Sequence, residues 1–388
     1  MKKELILENI LETLKKVLPK DKTTFGLHEP LFDGNEWVYV KECLDVGWVS
    51  SVGKFVDRFE QDLTDYTGVK RAVAVVNGTA ALHICLKLVG VVSNDEVIVP
   101  TLTFVATANA VTYCGAIPHF ADSEERTLGL DPNKLLSYLE QIAEIRNGEC
   151  FNIRTGRRIK AVVPMHTFGH PVDLDQLSEV CKRFKLELIE DAAESLGSYY
   201  KGRHTGNWGK VSAISFNGNK IVTTGGGGAI LTNNVELGKL AKHITTTAKI
   251  PHQWSLNHDM IGYNYRLPNI NAALGCGQLE NLSVFLDKKR ALAKTYQEAF
   301  QGNEIAQFFI EPAFAKSNYW LNALLVKNGF HTFRDYLLDG LCENNIKARP
   351  VWVLMHKLPM YIDNPRMDLS VAENLEKRII NIPSSAFL

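Results

Sequence analysis

Residues 186–228, LELIEDAAESLGSYYKGRHTGNWGKVSAISFNGNKIVTTGGGG, contain two strand-like runs that each lead to a reactive side chain. The apolar run 186–189 leads to Asp191, which is expected where a buried parallel strand meets the ligand-binding edge of a sheet. The run 211–216 opens onto a short loop that ends in Lys220. Two neighbouring strands of this kind would bring a carboxylate and an amine to the same edge.

This pair of side chains has a chemical meaning. A lysine amine can form a Schiff base, and pyridoxal phosphate needs both such a lysine and a carboxylate beside its ring nitrogen. A simpler interpretation is that Asp191 caps a helix beginning at Ala192, as aspartate often does, and that Lys220 is an exposed loop lysine. On these two residues alone the simpler interpretation is favoured, so the rest of the chain must decide.

Length and composition restrict the class of protein. A chain of 388 residues is longer than a single hydrophobic core usually accommodates, so we expect a large domain and a smaller one. Lys+Arg and Asp+Glu both number 43, so the chain is formally neutral and has no general attraction for nucleic acid or an anionic membrane. The seven cysteines are scattered without a CxxC pair, which indicates reduced thiols in a cytoplasmic protein.

The pattern along the chain predicts three parts. Apolar residues recur at helical spacing between Leu7 and Leu18, interrupted by acids, so residues 1–24 are predicted to be a helical extension that packs on a surface or a partner. Short strands alternate with helices over residues 25–254, which predicts a parallel sheet with helices on both faces. Longer helices follow, and residues 255–388 are predicted to form a smaller C-terminal domain after a connecting helix, with a strand in NNIKARPVW (344–352).

The turn Asn77-Gly78-Thr79 is a candidate phosphate site. It lies between a β-branched run at 72–76 and a helical segment at 80–89, so free amide groups at the helix start would suit a phosphate. Such turns also connect strands and helices that bind nothing, so that alternative stays open. No Lys-Ser/Thr pair follows Gly78, which excludes a Walker A loop.

Three further segments leave alternatives open. Phe104 lies near the junction of a strand at 96–100 and a helix predicted over 101–110, and it could be a core residue or stack on a flat ring. Turn signals around a β-prone segment predict a surface hairpin at 145–159. His166 and His170 have the spacing of a zinc pair, but Gly169 and Pro171 oppose the required helix, so no metal site is expected.

Five motifs, taken together, resemble a known family. They are NGTAAL (77–82), TLTFVATANAV (101–111), EDAAESLGS (190–198), SFNGNKIVTTGGGG (215–228) and GYNYRLPNINAALG (262–275). The chain resembles the DegT/DnrJ/EryC1/StrS sugar aminotransferases, which are fold-type I pyridoxal-phosphate enzymes. The resemblance implies an aspartate-aminotransferase-like α/β fold, with a mostly parallel central sheet in the large domain and a smaller C-terminal α+β domain.

The resemblance also implies a role for each matching residue. Lys220 would bind pyridoxal 5′-phosphate covalently in its aldehyde form and release it in the pyridoxamine form, and Asp191 would face the ring nitrogen. Phosphate contacts would come from Gly78, Thr79, Ala80 and Ser215, and Phe104 would stack on the ring. Asn264 would reach the phosphate from a neighbouring subunit, which implies a homodimer with shared active sites.

Two residues differ from many members of the family. Glu194 occupies a position where glutamine or histidine often contacts the ring hydroxyl, and a carboxylate facing a phenolate is repelled unless the two share a proton. Gly226 stands where the more usual GEGG sequence has an acid. Neither change affects Lys220 or Asp191, so both bear on the substrate and on the cofactor's properties.

The stretch 31–60, together with residues 145–159, resembles a narrower group that acts on UDP-4-keto-6-deoxy-N-acetylhexosamines with glutamate as amino donor. This implies a role in the synthesis of a cell-surface amino sugar of the legionaminic acid or bacillosamine type. Relatives acting on GDP- or dTDP-linked sugars share the same core, and a catalytically idle cofactor-binding regulator is a further alternative. Weak candidates for contact with the nucleotide sugar are Arg349, Trp352 and His356.

Overall fold

A mostly parallel central sheet is built from the first two-thirds of the chain. The computed structural model describes residues 3–388. Its helices are α1 (Lys3–Lys15), α2 (Glu36–Asp45), α3 (Lys54–Thr67), α4 (Gly78–Leu88), α5 (Val105–Tyr113), α6 (Pro132–Ile142), α7 (Leu174–Arg183), α8 (Val235–Thr245), α9 (Asn269–Glu280), α10 (Leu282–Ala299), α11 (Arg334–Glu343) and α12 (Ser370–Glu376).

The strands fall into three sheets. They are β1 (Arg71–Val75), β2 (Glu96–Pro100), β3 (Ile117–Ala121), β4 (Ala143–Arg146), β5 (Glu149–Asn152), β6 (Arg158–Val162), β7 (Glu187–Asp191), β8 (Tyr199–Tyr200), β9 (Arg203–His204), β10 (Val211–Ser215), β11 (Gly228–Thr232), β12 (Ala306–Phe308), β13 (Ala315–Lys316), β14 (Asn322–Val326), β15 (Arg349–Pro350) and β16 (Ile379–Ile382).

The large sheet has the order β1-β11-β10-β7-β6-β2-β3, with the β4–β5 hairpin attached to β6. Strands β10, β7, β6, β2 and β3 pair in parallel, whereas β11 is antiparallel to both of its neighbours. Helices connect the parallel strands and cover both faces, so these strands read as continuous apolar runs. The expected fold class is confirmed.

The two faces of the large sheet bury different side chains of the same strands. Val73 and Val75 of β1 pack with α4, α5 and α8, whereas Ala72 and Ala74 pack with α3 and α9. Side chains of successive residues point to opposite faces of a strand, so each strand contributes to two separate cores. Across residues 3–388, no helix combines the length and apolar character needed to span a membrane.

The C-terminal part has its own antiparallel sheet, in the order β12-β14-β16-β15. Helices α10 and α11 contribute to its core, and so does the apolar face of α1, through Ile6, Ile10 and Leu14. The helix predicted within 1–24 therefore packs against the C-terminal core of its own chain. Helix α9, in contrast, packs on α2 and α3.

Two predicted elements differ from the observed ones. The segment 101–110 is helical only from Val105, because Phe104 has an extended backbone and precedes the first turn. The strand expected in NNIKARPVW is reduced to Arg349–Pro350, which pairs with the edge of β16. Proline lacks a backbone donor, which restricts it to sheet edges.

The hairpin predicted over 145–159 is confirmed as β4 and β5. Asn147 and Gly148 form its turn with positive φ angles of 50° and 81°, as the two central residues of a tight hairpin turn require. Strand β5 also pairs with β6, so the hairpin continues the large sheet.

Helix α10 carries an unusual buried amine. Lys289 is 1% exposed, and its Nζ donates to the carbonyl oxygens of Trp320 (3.2 Å) and Ser384. Burial lowers the pKa of Lys289 to about 7, because a charged amine is costly away from water.

Replacing Lys289 with methionine is predicted to change how stability depends on pH. Between about pH 7 and pH 10 the unfolded chain keeps a proton that the folded wild type gives up, so the wild type gains stability as pH rises, by up to about 1.4 kcal/mol per unit. Lys289→Met should lack this gain. Urea unfolding across the window measures it, with the exposed neighbour Lys288→Met as control; parallel curves for wild type and Lys289→Met would contradict it.

Candidate active site

Asp191 and Lys220 line the same cavity, of about 390 Å³. Asp191 is the last residue of β7, and Lys220 lies on the loop after β10. These strands are parallel neighbours, with Ala213 paired to Asp191. Because parallel strands end at the same edge of a sheet, the carboxylate and the amine are brought together there.

The buried carboxylate of Asp191 is held by two donors. Thr107 donates its hydroxyl to Oδ2 at 2.7 Å, and the Ala193 amide donates to Oδ1 at 3.2 Å. Burial raises the pKa of Asp191, although these donors and the charge of Lys220 oppose the shift. Residues 192–198 form turns, so the simpler interpretation of Asp191 as a helix cap is wrong.

Lys220 is not an exposed loop lysine, since its side chain is 12% exposed. Its Nζ lies 3.3 Å from Oε1 of Glu194 and 3.6 Å from the centre of the Trp320 ring. The carboxylate and the aromatic face both attract an ammonium group. The amine is therefore held within the cavity wall.

Glu194 is buried, and its second oxygen accepts the Phe168 amide at 2.9 Å. Burial raises the pKa of Glu194, and the charge of Lys220 acts in the opposite direction. A raised pKa favours the protonated acid, which can donate a hydrogen bond to an oxygen anion. A glutamic acid at this position is therefore compatible with a phenolate oxygen.

The turn before α4 presents backbone amides to the cavity. Asn77 is extended, and its Oδ1 accepts the Ala80 amide at 2.8 Å. This bond occupies the Ala80 amide, whereas Gly78, Thr79 and Ser215 line the cavity. A Cβ on Gly78 would lie 2.9 Å from the Ser215 Cβ, so glycine permits this close approach.

The candidates for contact with the nucleotide sugar do not all reach the cavity. Arg349, Trp352 and Phe104 line it, and the rings of Phe104 and Trp352 meet edge to face at 6.2 Å. His356 does not: its Nδ1 shares a 2.7 Å hydrogen bond with Thr101. Asn264 also lies outside the lining within a single chain, where it forms a β-bridge with Thr246.

Sequence reasoning missed several residues of the site. Thr107 belongs to the motif that contains Phe104, one helical turn further on, but nothing in the sequence pairs it with Asp191. Trp320 lies one hundred positions after Lys220 in the chain, and only the tertiary fold brings it to the amine.

The acid beside Asp191 has a structural role. Buried Glu190 accepts the amides of Gly206, Trp208 and Gly209 and a 3.0 Å hydrogen bond from His166 Nε2. His166 Nδ1 accepts the Val172 amide, so the proton lies on Nε2. Within residues 3–388 no group of three or more His, Cys, Asp and Glu is arranged to hold a metal.

The cavity fits pyridoxal phosphate in three respects. The Lys220 amine and the buried carboxylate of Asp191 line one cavity, which supplies the Schiff-base lysine and the partner for the ring nitrogen. Gly78 and Thr79 at the start of α4 and Ser215 line a common space, and the amides of a helix start together with a hydroxyl suit a phosphate. Phe104 supplies an aromatic surface at the cavity wall.

Comparison with known proteins agrees with this geometry. The family model described as the DegT/DnrJ/EryC1/StrS aminotransferase family matches residues 31–388. The chain belongs to this family. The enzyme is thus a pyridoxal-phosphate-dependent sugar aminotransferase.

Individual relatives cover nearly the whole enzyme. It is 38% identical to a GDP-perosamine synthase of Caulobacter vibrioides over 95% of each chain, and 38% identical to one of Escherichia coli O157:H7 over 92% of each chain. Its structure is similar to that of Helicobacter pylori PseC, an aminotransferase involved in the biosynthesis of pseudoaminic acid, with a TM-score of 0.84, 27% identity and 94% of each chain covered.

Replacing Gly228 with alanine is predicted to weaken cofactor binding. The new Cβ would lie 2.6 Å from the carbonyl carbon and oxygen of Asn77, so the turn before α4 must shift. We expect the dissociation constant for pyridoxal phosphate, measured by absorbance titration of the apoenzyme, to rise at least about tenfold.

Gly226→Ala is the matched control, because a Cβ there meets nothing within 4 Å. Its dissociation constant should stay within about twofold of wild type. Equal affinities for the two alanine variants would show that the Asn77 turn does not determine binding.

Proposed function

We propose that the enzyme transfers the amino group of glutamate to a GDP-linked 4-keto-6-deoxy hexose, in a homodimer whose active sites are shared between two chains. The observation that carries the reaction type is the convergence of Lys220, Asp191 and the start of α4 on one cavity. The nucleotide is inferred from the relatives, since two that cover at least 92% of this chain are named GDP-perosamine synthases. These names support the GDP alternative over the UDP-linked N-acetylhexosamine expected from the sequence.

The residues divide the work of binding. Gly78, Thr79 and Ser215 would hold the phosphate with two amides and a hydroxyl. Asp191 would keep the ring nitrogen protonated, and Phe104 would pack against the ring. When bound, pyridoxal phosphate supplies the carbonyl that takes up and returns the amino group and a ring that accepts an electron pair.

Lys220 and Glu194 would then manage protons. The Nζ of Lys220 would move the proton at the α-carbon of glutamate, and later the proton at the sugar carbon that receives nitrogen, because an amine can act as base and then as acid at one place. Glu194, with its raised pKa, would hold a proton against the ring oxygen. Arg349 and Trp352, which line the cavity, would contact the nucleotide part of the substrate.

The dimer proposal has support on the surface of the chain. Large apolar side chains are exposed on two segments, with Trp37 at 75% and Trp48 at 56% on one, and Trp254 at 81% and Ile261 at 85% on the other. The second segment directly precedes Asn264. Several large apolar side chains exposed near one another in the chain commonly mark a protein interface. Burying those of the second segment against a partner would bring Asn264 to a second chain.

Assay with sugar nucleotides tests the substrate. With glutamate labelled by ¹⁵N on its amino group, we expect a labelled product from the GDP-linked 4-keto-6-deoxy hexose, with kcat/KM at least about tenfold above those for UDP- and dTDP-linked analogues. Lys220→Ala should give no product and no visible absorbance band with pyridoxal phosphate. A preference for the UDP-linked N-acetylhexosamine would overturn the nucleotide assignment.

Mixing two inactive variants tests the shared site. Lys220→Ala and Asn264→Ala homodimers should each be nearly inactive. A re-equilibrated equal mixture should recover about a quarter of wild-type activity, because half of the dimers are mixed and one of their two sites is intact. Absence of recovery in a mixture shown by mass spectrometry to contain mixed dimers would indicate that Asn264 acts within its own chain.

A further inference from the structure

The wall behind Lys220 is formed by a tryptophan from the C-terminal part of the chain. The Lys220 amine lies 3.6 Å from the centre of the Trp320 ring. The indole N–H of Trp320 donates to the carbonyl oxygen of Asn219 at 2.7 Å. Trp320 therefore contacts the amine with its face and the residue before the amine with its edge.

The backbone of Trp320 is linked through Asn318 to the segment that carries Glu194. Its amide donates to Oδ1 of Asn318 at 2.8 Å, and Asn318 Nδ2 donates to the carbonyl oxygens of Glu194 and Leu196, each at 2.9 Å. The Lys220 amine thus contacts both Trp320 and Glu194, and Asn318 links the backbone segments that carry these two residues.

The backbone carbonyl oxygen of Trp320 accepts a hydrogen bond from the Nζ of Lys289 at 3.2 Å. The same amine donates to the carbonyl of Ser384 in the C-terminal segment. A buried amine whose pKa burial lowers to about 7 costs folding energy that an apolar residue would not. Lys289 thus links the backbone of Trp320 to that of Ser384 through hydrogen bonds, at a cost in folding free energy.

We propose that Lys289 is a positioning residue for the reaction: by binding the carbonyl oxygens of Trp320 and Ser384 it fixes the indole against Lys220, and so fixes where Nζ stands. The inference rests on the proposed role of Lys220 in moving protons. Proton transfer depends steeply on the distance between the atoms that exchange the proton. Loss of Lys289 therefore acts on turnover, while the surfaces that bind substrate remain.

Helix α10 offers a matched control. The hydroxyl of buried Tyr296 donates to the carbonyl oxygen of Pro383 at 3.1 Å, so Tyr296→Phe removes a hydrogen bond between the same helix and the same C-terminal segment. That bond does not involve Trp320. The control separates a general loosening of the segment from the effect transmitted through Trp320.

The first measurement uses apoenzyme labelled with ¹⁵N-tryptophan and follows exchange of the indole N–H, with the Trp320 signal assigned from Trp320→Phe. In Lys289→Met we expect exchange at Trp320 to be at least about tenfold faster, while the Trp208 indole, bonded to the Arg203 carbonyl, changes less than about twofold. Tyr296→Phe should leave both unchanged. Equal acceleration at Trp320 and Trp208, or none at Trp320, would overturn the proposal.

The second measurement is steady-state kinetics of the holoenzyme. Lys289→Met should lower kcat by between about tenfold and a hundredfold with both KM values nearly unchanged, and it should have no further effect on kcat when combined with Trp320→Ala. An unchanged kcat, or additive losses, would contradict the proposal. If the methionine variant does not fold, Lys289→Gln, which keeps an N–H donor on a shorter side chain, replaces it, with a smaller effect expected in the same direction.

Failure of the proposed function can be distinguished from failure of the positioning role of Lys289, because the measurement of indole exchange needs neither cofactor nor sugar nucleotide.

Discussion

The site depends on the parallel pairing of β7 with β10. This pairing sets Ala213 opposite Asp191, so the end of β7 and the loop to Lys220 leave the sheet side by side. Strand β11 lies between β10 and β1 in the sheet and is antiparallel to both, so β1 runs parallel to β10. The start of α4, which follows β1, therefore opens at the same edge. A shift of one residue in the register between β7 and β10 would turn each side chain of β7 to the opposite face of the sheet. The carboxylate of Asp191 would then face away from the amine of Lys220.

Neighbouring acids at this edge have different environments. Glu190 accepts four donors, and although burial acts to raise its pKa, these bonds outweigh burial and the pKa is lowered. Asp191 has two donors, and its pKa is raised. Glu194 resembles Asp191 in this respect. The saturated acid stabilises the fold, whereas the other two retain capacity to bind, which is the property a cofactor site requires.

Local pattern made Asp191, Lys220 and Gly78 candidates, because each lies at or soon after the end of a strand or at the start of a helix, but only the five motifs together implied a role for them. The Asp-Ala-Ala-Glu sequence also fits a helix start, and only the observed backbone, in which residues 192–198 form turns, shows that it is not one. Contacts made by the C-terminal part, such as that of Trp320 with the amine, depend on long-range packing and leave no periodic signal.

The nucleotide was harder to predict for a physical reason. The UDP expectation rested on residues 31–60 and 145–159, and neither stretch contributes a residue to the cavity wall of a single chain. Within a single chain, similarity in these stretches therefore gives no direct information on the residues that contact a sugar. His356 was a weak candidate for contact with the nucleotide sugar, and its ring is already bonded to Thr101 and Glu373.

The segments around residues 27–29 and 381–385 meet at the cavity, and this contact has a consequence for the order of folding. The Glu29 amide donates to the hydroxyl of Ser385, which lies 356 positions later, and Leu27 and Asn381 both line the cavity. The large sheet uses only residues up to Thr232, so it can assemble while the ribosome is still adding residues. The cavity wall also needs Asn381 of β16, so it is completed only when the C-terminal sheet has joined the large sheet.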